Sequence, residues 1–214
     1  MDRDERSSLV LERLKEEYPD ADTTLDYQNP FELLVATVLS AQCTDERVNQ
    51  VTPELFDEYP TPEEMAEADV ERIQEIVHST GFYKSKADYL KQGSRLLVEN
   101  FDGEVPESVD ELTQLPGVGR KTANVVVSNA FGVDEGIAVD THVLRLTERL
   151  ELTDSPGDRD CVEEDLMELV PEDDWRLVSH LLIFHGREVC SARSPDCDEC
   201  VLEDICPSSR LGDG

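Results

Sequence analysis

The 214-residue sequence predicts an all-α protein built from many short helices. Three observations lead there: apolar residues recur at helical spacing, cap-and-proline signals open several of these runs, and no set of alternating strands appears. Asn29-Pro30 supplies an N-cap and a proline at the first helical position, ahead of the apolar run from Phe31 to Gln42. Thr61-Pro62-Glu63-Glu64 repeats that grammar, and Gly81 and Gly93 punctuate the chain beyond it. Residues 69–79 carry Val70, Ile73, Ile76 and Val77 at helical spacing, and residues 85–100 carry Ala87, Leu90, Leu97 and Val98 less regularly. A helix over Glu107 to Gln114 precedes a second one in which Ala123, Val126, Val127 and Ala130 form one stripe ending near Gly132. Val125-Val126-Val127 alone could be strand, but the stripe decides for helix. Asp140 reads as the N-cap of a helix over 141–150.

Charge is the anomaly. Fifty Asp and Glu stand against 19 Lys and Arg, of which only 5 are lysines, for a formal net charge of -31 and a pI near 4.2. This excludes a generic nucleic-acid binder that relies on a broad basic surface. With 38% hydrophobic residues the chain still has material for a core, so the acidity does not signal disorder. A high-salt cytosol suits such a balance, because carboxylates keep a surface hydrated while screening removes self-repulsion. The start, Met1 to Arg6, lacks the blocks of a secretory signal, and the longest apolar stretch, Phe31 to Leu39, contains Glu32. A cytoplasmic chain with no membrane span is therefore expected.

The acids are unevenly spread. Residues 54–75 hold nine against Arg72 alone, and residues 150–175 hold eleven against Arg159 alone. Residues 78–100 reverse this, with Lys84, Lys86, Lys91 and Arg95 against Asp88 and Glu99, and residues 115–149 are neutral. Either these two stretches pack against the protein itself or an anion approaches them.

Leu115-Pro116-Gly117-Val118-Gly119-Arg120-Lys121-Thr122-Ala123 is a two-glycine turn feeding a helix, resembling a helix-hairpin-helix that grips phosphates through backbone N–H groups and the helix dipole. Lys121 in the first helical turn, beside Arg120, is either a solvated or phosphate-contacting lysine or an amine activated by the dipole and its neighbour. Nineteen residues on, Asp140 is a helix cap, an electrostatic stabiliser for a developing cation, or both. Cys190, Cys197, Cys200 and Cys206 follow C-x6-C-x2-C-x5-C, which fits one iron–sulfur cluster in a loop; zinc is the rival, although four-thiolate zinc sites usually show two close pairs. Cys43 and Cys161 stand apart and are expected to be buried, inert thiols.

Together these motifs resemble the endonuclease III family of helix-hairpin-helix DNA glycosylases, over about Asn29 to Cys206. The blocks LPGVGRKTANVV, AVDTHV and the cysteine spacing carry the resemblance, with Phe31-Glu32-Leu33-Leu34 through Leu39-Ser40-Ala41-Gln42 and Gly81 to Ala87 in support. The resemblance implies two helical domains flanking a DNA-binding cleft. One is a six-helix domain over residues 22–132 with its hairpin at about 107–131; the other is a cluster domain from residues 1–21 plus 133–214. It implies a 4Fe-4S cluster on the four cysteines. It also implies a bifunctional glycosylase and abasic-site lyase acting on oxidised pyrimidines in double-stranded DNA, through a Schiff base on Lys121 assisted by Asp140. The residues expected on DNA are Gln42, which fills the gap left by the flipped base, Phe82, which stands where the family usually has an aliphatic wedge, and Lys84, Gly117, Val118, Gly119, Arg120 and Arg193. The segment between the first two cysteines holds Arg193 as its single cation, where relatives often carry several, so weaker phosphate contact is expected there. A monomer associated with the nucleoid is implied. A thymine or uracil mismatch glycosylase of the same superfamily is the alternative within the enzyme class. Outside it stand an iron–sulfur electron carrier, which has no use for LPGVGRK, and a non-catalytic hairpin module, which Lys121 and Asp140 argue against. His142 is a lone histidine that either lies near the lesion or is structural.

Overall fold

Side chains that accept backbone N–H groups set where most helices begin. The computed structural model describes residues 1–210 and contains eleven α-helices and no strand among them. They are α1 (Arg3–Glu17), α2 (Pro30–Leu39), α3 (Asp45–Glu58), α4 (Pro62–Glu67), α5 (Val70–Val77), α6 (Tyr83–Asn100), α7 (Val109–Leu112), α8 (Arg120–Phe131), α9 (Thr141–Arg149), α10 (Arg159–Leu169) and α11 (Trp175–Glu188). Asp2, Asn29, Thr44, Thr61, Asp69, Asp140 and Asp158 each cap the next helix through a side-chain oxygen. At α2 the cap is reciprocal: Asn29 Oδ1 accepts the Glu32 amide at 2.9 Å while Glu32 Oε2 accepts the Gln28 amide at 2.7 Å. No described helix is long and apolar enough to cross a membrane.

Two compact units result, Thr24–Glu135 and Met1–Thr23 with Gly136–Gly214, the last four residues of which lie outside the described ones. The resemblance places these divisions at 21/22 and 132/133; the units divide at 23/24 and 135/136. In the first unit α2 is buried at every position but Pro30 and lies against α3, α6 and α8. Leu33, Leu39, Leu55, Met65, Ile73, Leu97 and Leu112 are closed off around it. This unit holds seven α-helices where the resemblance implies six. The chain extends at Ala68 (φ -55°, ψ 150°), and Asp69 then caps a fresh start, so α4 and α5 are separate helices. In the second unit α1, α9, α10 and α11 enclose Leu14, Ile137, Leu146, Leu152 and Leu166.

Two helices end elsewhere than the sequence reading places them, and four were not read from sequence. α2 stops at Leu39 rather than Gln42, because Gln42 takes a left-handed conformation at φ 56°. The helix expected over Glu107 to Gln114 is only four residues long, since Leu115 and Val118 donate to Leu112 and Leu115 and bend the chain into a tight turn. α1, α3, α10 and α11 have no counterpart among the helices justified from sequence. In α1 and α10 the reason is visible: few apolar residues face inward between many charges, Val10, Leu11 and Leu14 in α1 and Val162 and Leu166 in α10.

Candidate functional site

The hairpin turn between α7 and α8 is built on glycine for two reasons. Gly117 sits at φ 80°, and a Cβ there would meet the Tyr89 ring at 2.5 Å, so any side chain is barred by both backbone and packing. Gly119, the N-cap of α8, faces open space where its Cβ would be. Among the described residues, the amides of Gly117 and Gly119 donate to no protein acceptor, and the first turn of α8 has neither a side-chain cap nor an acid. Exposed N–H groups at an open helix start favour an anion. Val118 departs from the expectation for it. Its side chain is buried in the core and its amide donates to Leu115 at 3.1 Å, so it stabilises the turn and has no group left to offer. Arg120 and Lys121 are exposed at the first two positions of α8, and Lys121 makes no ion pair among the described residues.

Two other segments of the same unit stand out by strain. Gln42 and Phe82 are exposed non-glycine residues in the left-handed region, at φ 56° and φ 47°; Asp102 shares that region at φ 53°, which its short polar side chain tolerates better. Phe82 is 66% exposed, the most of any large apolar side chain among the described residues, and it forms the N-cap of α6 without a side-chain bond. Burying an aromatic is favourable, so leaving this ring in water on left-handed backbone carries a cost that the surrounding fold must offset. Next to it the rings of His78 and Tyr83 lie 4.4 Å apart, tilted by 40°, and Lys84 is exposed.

The cations that lighten residues 78–100 are mostly committed elsewhere. Lys86 is buried and donates to backbone carbonyls of Leu39 and Thr80; Lys91 donates to Ala68 O at 2.7 Å, closing the C-terminus of α4; Arg95 pairs with Glu99. Of the four, Lys84 is the one with no hydrogen bond or ion pair among the described residues.

In the second unit Asp140 caps α9. Its Oδ1 accepts the amides of His142 at 2.7 Å and Val143 at 2.9 Å, while its Oδ2 has no donor among the described residues. The carboxylate is thus fixed by one oxygen and available through the other. His142 packs where α9 meets α11: a Cβ on Gly186 would lie 2.8 Å from its Nδ1, which also contacts Arg145 Nη2 at 3.1 Å. Burial pushes the imidazole below its ordinary pKa. Its surroundings are those of a packing residue.

Cys190, Cys197, Cys200 and Cys206 line one cavity of about 220 Å³ together with Arg149, Asp196 and Glu203. Among the described residues no group of three His, Cys, Asp or Glu side chains is arranged to hold a single metal ion. A tetrahedral zinc needs its sulfurs about 2.3 Å from one point. Four thiols standing around a space instead fit a cluster that fills it. Burial pushes the Cys200 thiol up to about 11 and raises Cys206, so iron must displace protons there.

The neighbours of these cysteines were not singled out from sequence. Arg149 Nη1 donates to Cys190 Sγ at 3.0 Å and to Ser191 O at 2.9 Å, and its Nη2 donates to Ala192 O at 3.0 Å. One turn earlier on α9, Arg145 donates to Gly186 O and Cys190 O. His185 is 2% exposed, with Nε2 3.3 Å from Cys200 Sγ and Nδ1 3.1 Å from the Tyr18 hydroxyl. Burial drops its pKa to about 4, so the ring is neutral; if Nε2 donates to the sulfur, Nδ1 accepts from Tyr18. Arg145 and Arg149 at i and i+4 were the available signal, but a basic pair on a helix reads equally well as solvent-facing. Arg193 is exposed in the intervening loop. Cys43 and Cys161, expected to be buried, are half-buried; Cys43 packs on the edge of the first core.

Comparison with known proteins matches both parts of the chain. Residues 35–172 match the HhH-GPD superfamily of base excision DNA repair proteins, and residues 190–206 match the iron–sulfur binding domain of endonuclease III. The chain is 53% identical over 206 residues to Endonuclease III of Synechocystis sp., covering 96% of this chain and 94% of that one. It is 45% identical over 198 residues to Endonuclease III of Escherichia coli, covering 92% of each. A solved structure of a trapped endonuclease III–DNA covalent intermediate superposes with a TM-score of 0.92 at 44% identity over 97% of both chains. A thermostable thymine-DNA glycosylase shares the fold, with a TM-score of 0.86 at 20% identity over 95% of this chain and 96% of that one. Hairpin, lysine, aspartate and cysteine loop thus fall in a chain matched almost end to end, and the chain belongs to the endonuclease III family.

Proposed function

We propose that the chain excises oxidised pyrimidines from double-stranded DNA and cuts the strand at the abasic site, with Lys121 as nucleophile and Asp140 as electrostatic stabiliser. Family membership carries the activity class, a DNA N-glycosylase with abasic-site lyase activity and a 4Fe-4S cluster. The observation that carries the reading is an exposed lysine without an ion pair among the described residues, two residues beyond an open glycine turn, at a helix start with no side-chain cap. The turn and helix terminus draw a phosphate, which brings the neighbouring sugar to the amine.

The lone pair of Lys121 Nζ forms a bond to C1′ as the glycosidic bond breaks, its electrons leaving with the base, which takes up a proton. One proton then leaves the nitrogen and O4′ takes up a proton as the C1′–O4′ bond breaks, and the nitrogen lone pair closes the protonated Schiff base. Loss of a C2′ proton expels the 3′ phosphate, and water releases Lys121. Asp140 opposes the positive charge that develops on the sugar, its free Oδ2 being the oxygen suited to this. Gln42 and Phe82 enter the base stack and hold the damaged nucleotide out of it. Lys84, Arg120 and Arg193 contact phosphates, Gly117 and Gly119 do so through their amides, and Arg193 does so with little help from its loop. The four cysteines hold the cluster, whose part is to fold their loop.

Duplexes containing thymine glycol, dihydrouracil, 5-hydroxycytosine or uracil opposite G test the substrate. Cleavage of the first three is the expected outcome; activity confined to uracil opposite G makes the chain a mismatch glycosylase instead.

The charge of -31 fits a protein working in a high-salt cytosol, in association with the nucleoid. With few cations left for DNA, affinity is expected to fall with salt at a log–log slope no steeper than about -3, from -0.9 per phosphate neutralised. Thermal stability is expected to rise with added KCl. A slope as steep as that of a relative with neutral net charge, or stability that falls with KCl, contradicts this.

A further inference from the structure

Lys86 lies in the first turns of α6, and at 3% exposure its charged head is out of water. No ion pair compensates it among the described residues. Its Nζ donates instead to two carbonyls from separate segments, Leu39 O at 2.8 Å and Thr80 O at 2.7 Å. Leu39 ends α2, and Thr80 ends a 3-10 turn over His78–Thr80. Both carbonyls point out of helix ends, where a cation is favoured by the local dipole. Burial lowers the pKa of this lysine, so the position is a cost that a methionine or leucine would not incur.

The chain beyond each of the two carbonyls gives the position its meaning. Three residues after Leu39 comes Gln42, at φ 56°, and two residues after Thr80 comes Phe82, at φ 47°. Each tether therefore sits at the base of one of the strained, exposed segments. We propose that Lys86 is a positioning residue that holds segments 40–43 and 80–82 at a fixed spacing, so that Gln42 and Phe82 enter the base stack as one unit. The inference rests on the reading that these two side chains enter the stack. A neutral side chain at position 86 would leave both segments free to move separately, and flipping an intact damaged base, which needs both insertions, would suffer first. Cleavage at an abasic site already lacking its base needs less.

The test compares single-turnover base excision from a thymine glycol duplex with cleavage of a preformed abasic duplex, for the native protein and Lys86→Met. Excision is expected to slow by about tenfold, the loss of a charge-assisted bond, and abasic cleavage by less than about threefold. In a Gln42→Ala/Phe82→Ala background the Lys86→Met effect on excision is expected to vanish. Equal slowing of both steps, or a tenfold loss that persists in that background, overturns the proposal, since either describes a merely structural lysine. Phe82→Ala alone tests the underlying reading: if it leaves excision unchanged, stack insertion falls; if it slows excision and Lys86→Met does not, only the Lys86 proposal falls. Should Lys86→Met not fold, hydrogen exchange on the native protein decides. Residues 39–43 and 80–83 are expected to gain protection together on an abasic-analogue duplex, and protection of one segment alone overturns the proposal.

Discussion

Lys121→Ala is expected to abolish strand cleavage at abasic sites, with a loss of roughly a thousandfold or more, while melting within a degree or two of the native protein. The side chain is exposed and makes no ion pair among the described residues, so its removal leaves no cavity and no orphaned partner. What disappears is the step in the proposed sequence that joins the protein covalently to the sugar, and nucleophiles of this kind account for very large factors. Asp140 offers a cleaner dissection. Asp140→Asn keeps an oxygen to accept the amides of His142 and Val143, so the α9 cap survives and only the charge is lost. Excision is expected to fall by roughly a hundredfold, with little change in stability. Asp140→Ala adds the loss of the cap, about 1 kcal/mol. If Asn keeps full activity and only Ala loses it, in step with its loss of stability, Asp140 is a cap and nothing more. Rates on thymine glycol duplex and melting curves together separate the cases.

The second large effect concerns the cysteine loop. Cys197→Ala is expected to remove the visible absorbance of the cluster and lower the melting temperature of the unit Met1–Thr23 with Gly136–Gly214 by roughly 10 °C or more. Residues 190–206 have little else to fold on. They contain two three-residue 3-10 turns, with Leu202 and Ile205 as their only buried apolar side chains. Further restraint comes from outside, through Arg145 and Arg149 on the carbonyls of Cys190, Ser191 and Ala192, Arg13 on Val201 O and the Asp204 carboxylate, and His185 beside Cys200 Sγ. A cluster anchored at four points replaces the missing core. The unit Thr24–Glu135 has its own closed core and is expected to melt as before. Circular dichroism alongside absorbance during heating checks both statements.

Much of this was legible in the sequence because it depends on residue types at short spacing. The caps at Asn29, Thr61 and Asp140, the glycine turn before α8 and the four cysteines are local patterns, and local physics fixes them. What escaped depends on which distant atoms meet. Lys86 and Lys91 looked like a basic stretch awaiting an anion, but both are spent on carbonyls from other helices. Arg145 and Arg149 likewise hold the cysteine loop and add nothing to a phosphate-binding surface. The two stretches spared the acid load are therefore spared for two reasons: acids beside these inward-bound cations would compete with the carbonyls, and Lys84, Arg120 and Lys121 remain exposed. The left-handed backbone at Gln42 and Phe82 was invisible for another reason. Nothing in a glutamine or phenylalanine announces a positive φ, which the surrounding fold imposes.

Trapping with borohydride tests the central claim most directly. The native protein is incubated with abasic duplex and sodium borohydride, and the cross-linked peptide is then mapped by mass spectrometry. A covalent adduct on Lys121, absent from Lys121→Ala, is the expected result. No adduct, or one mapped to another amine such as Lys84, contradicts the assignment of Lys121 as the nucleophile.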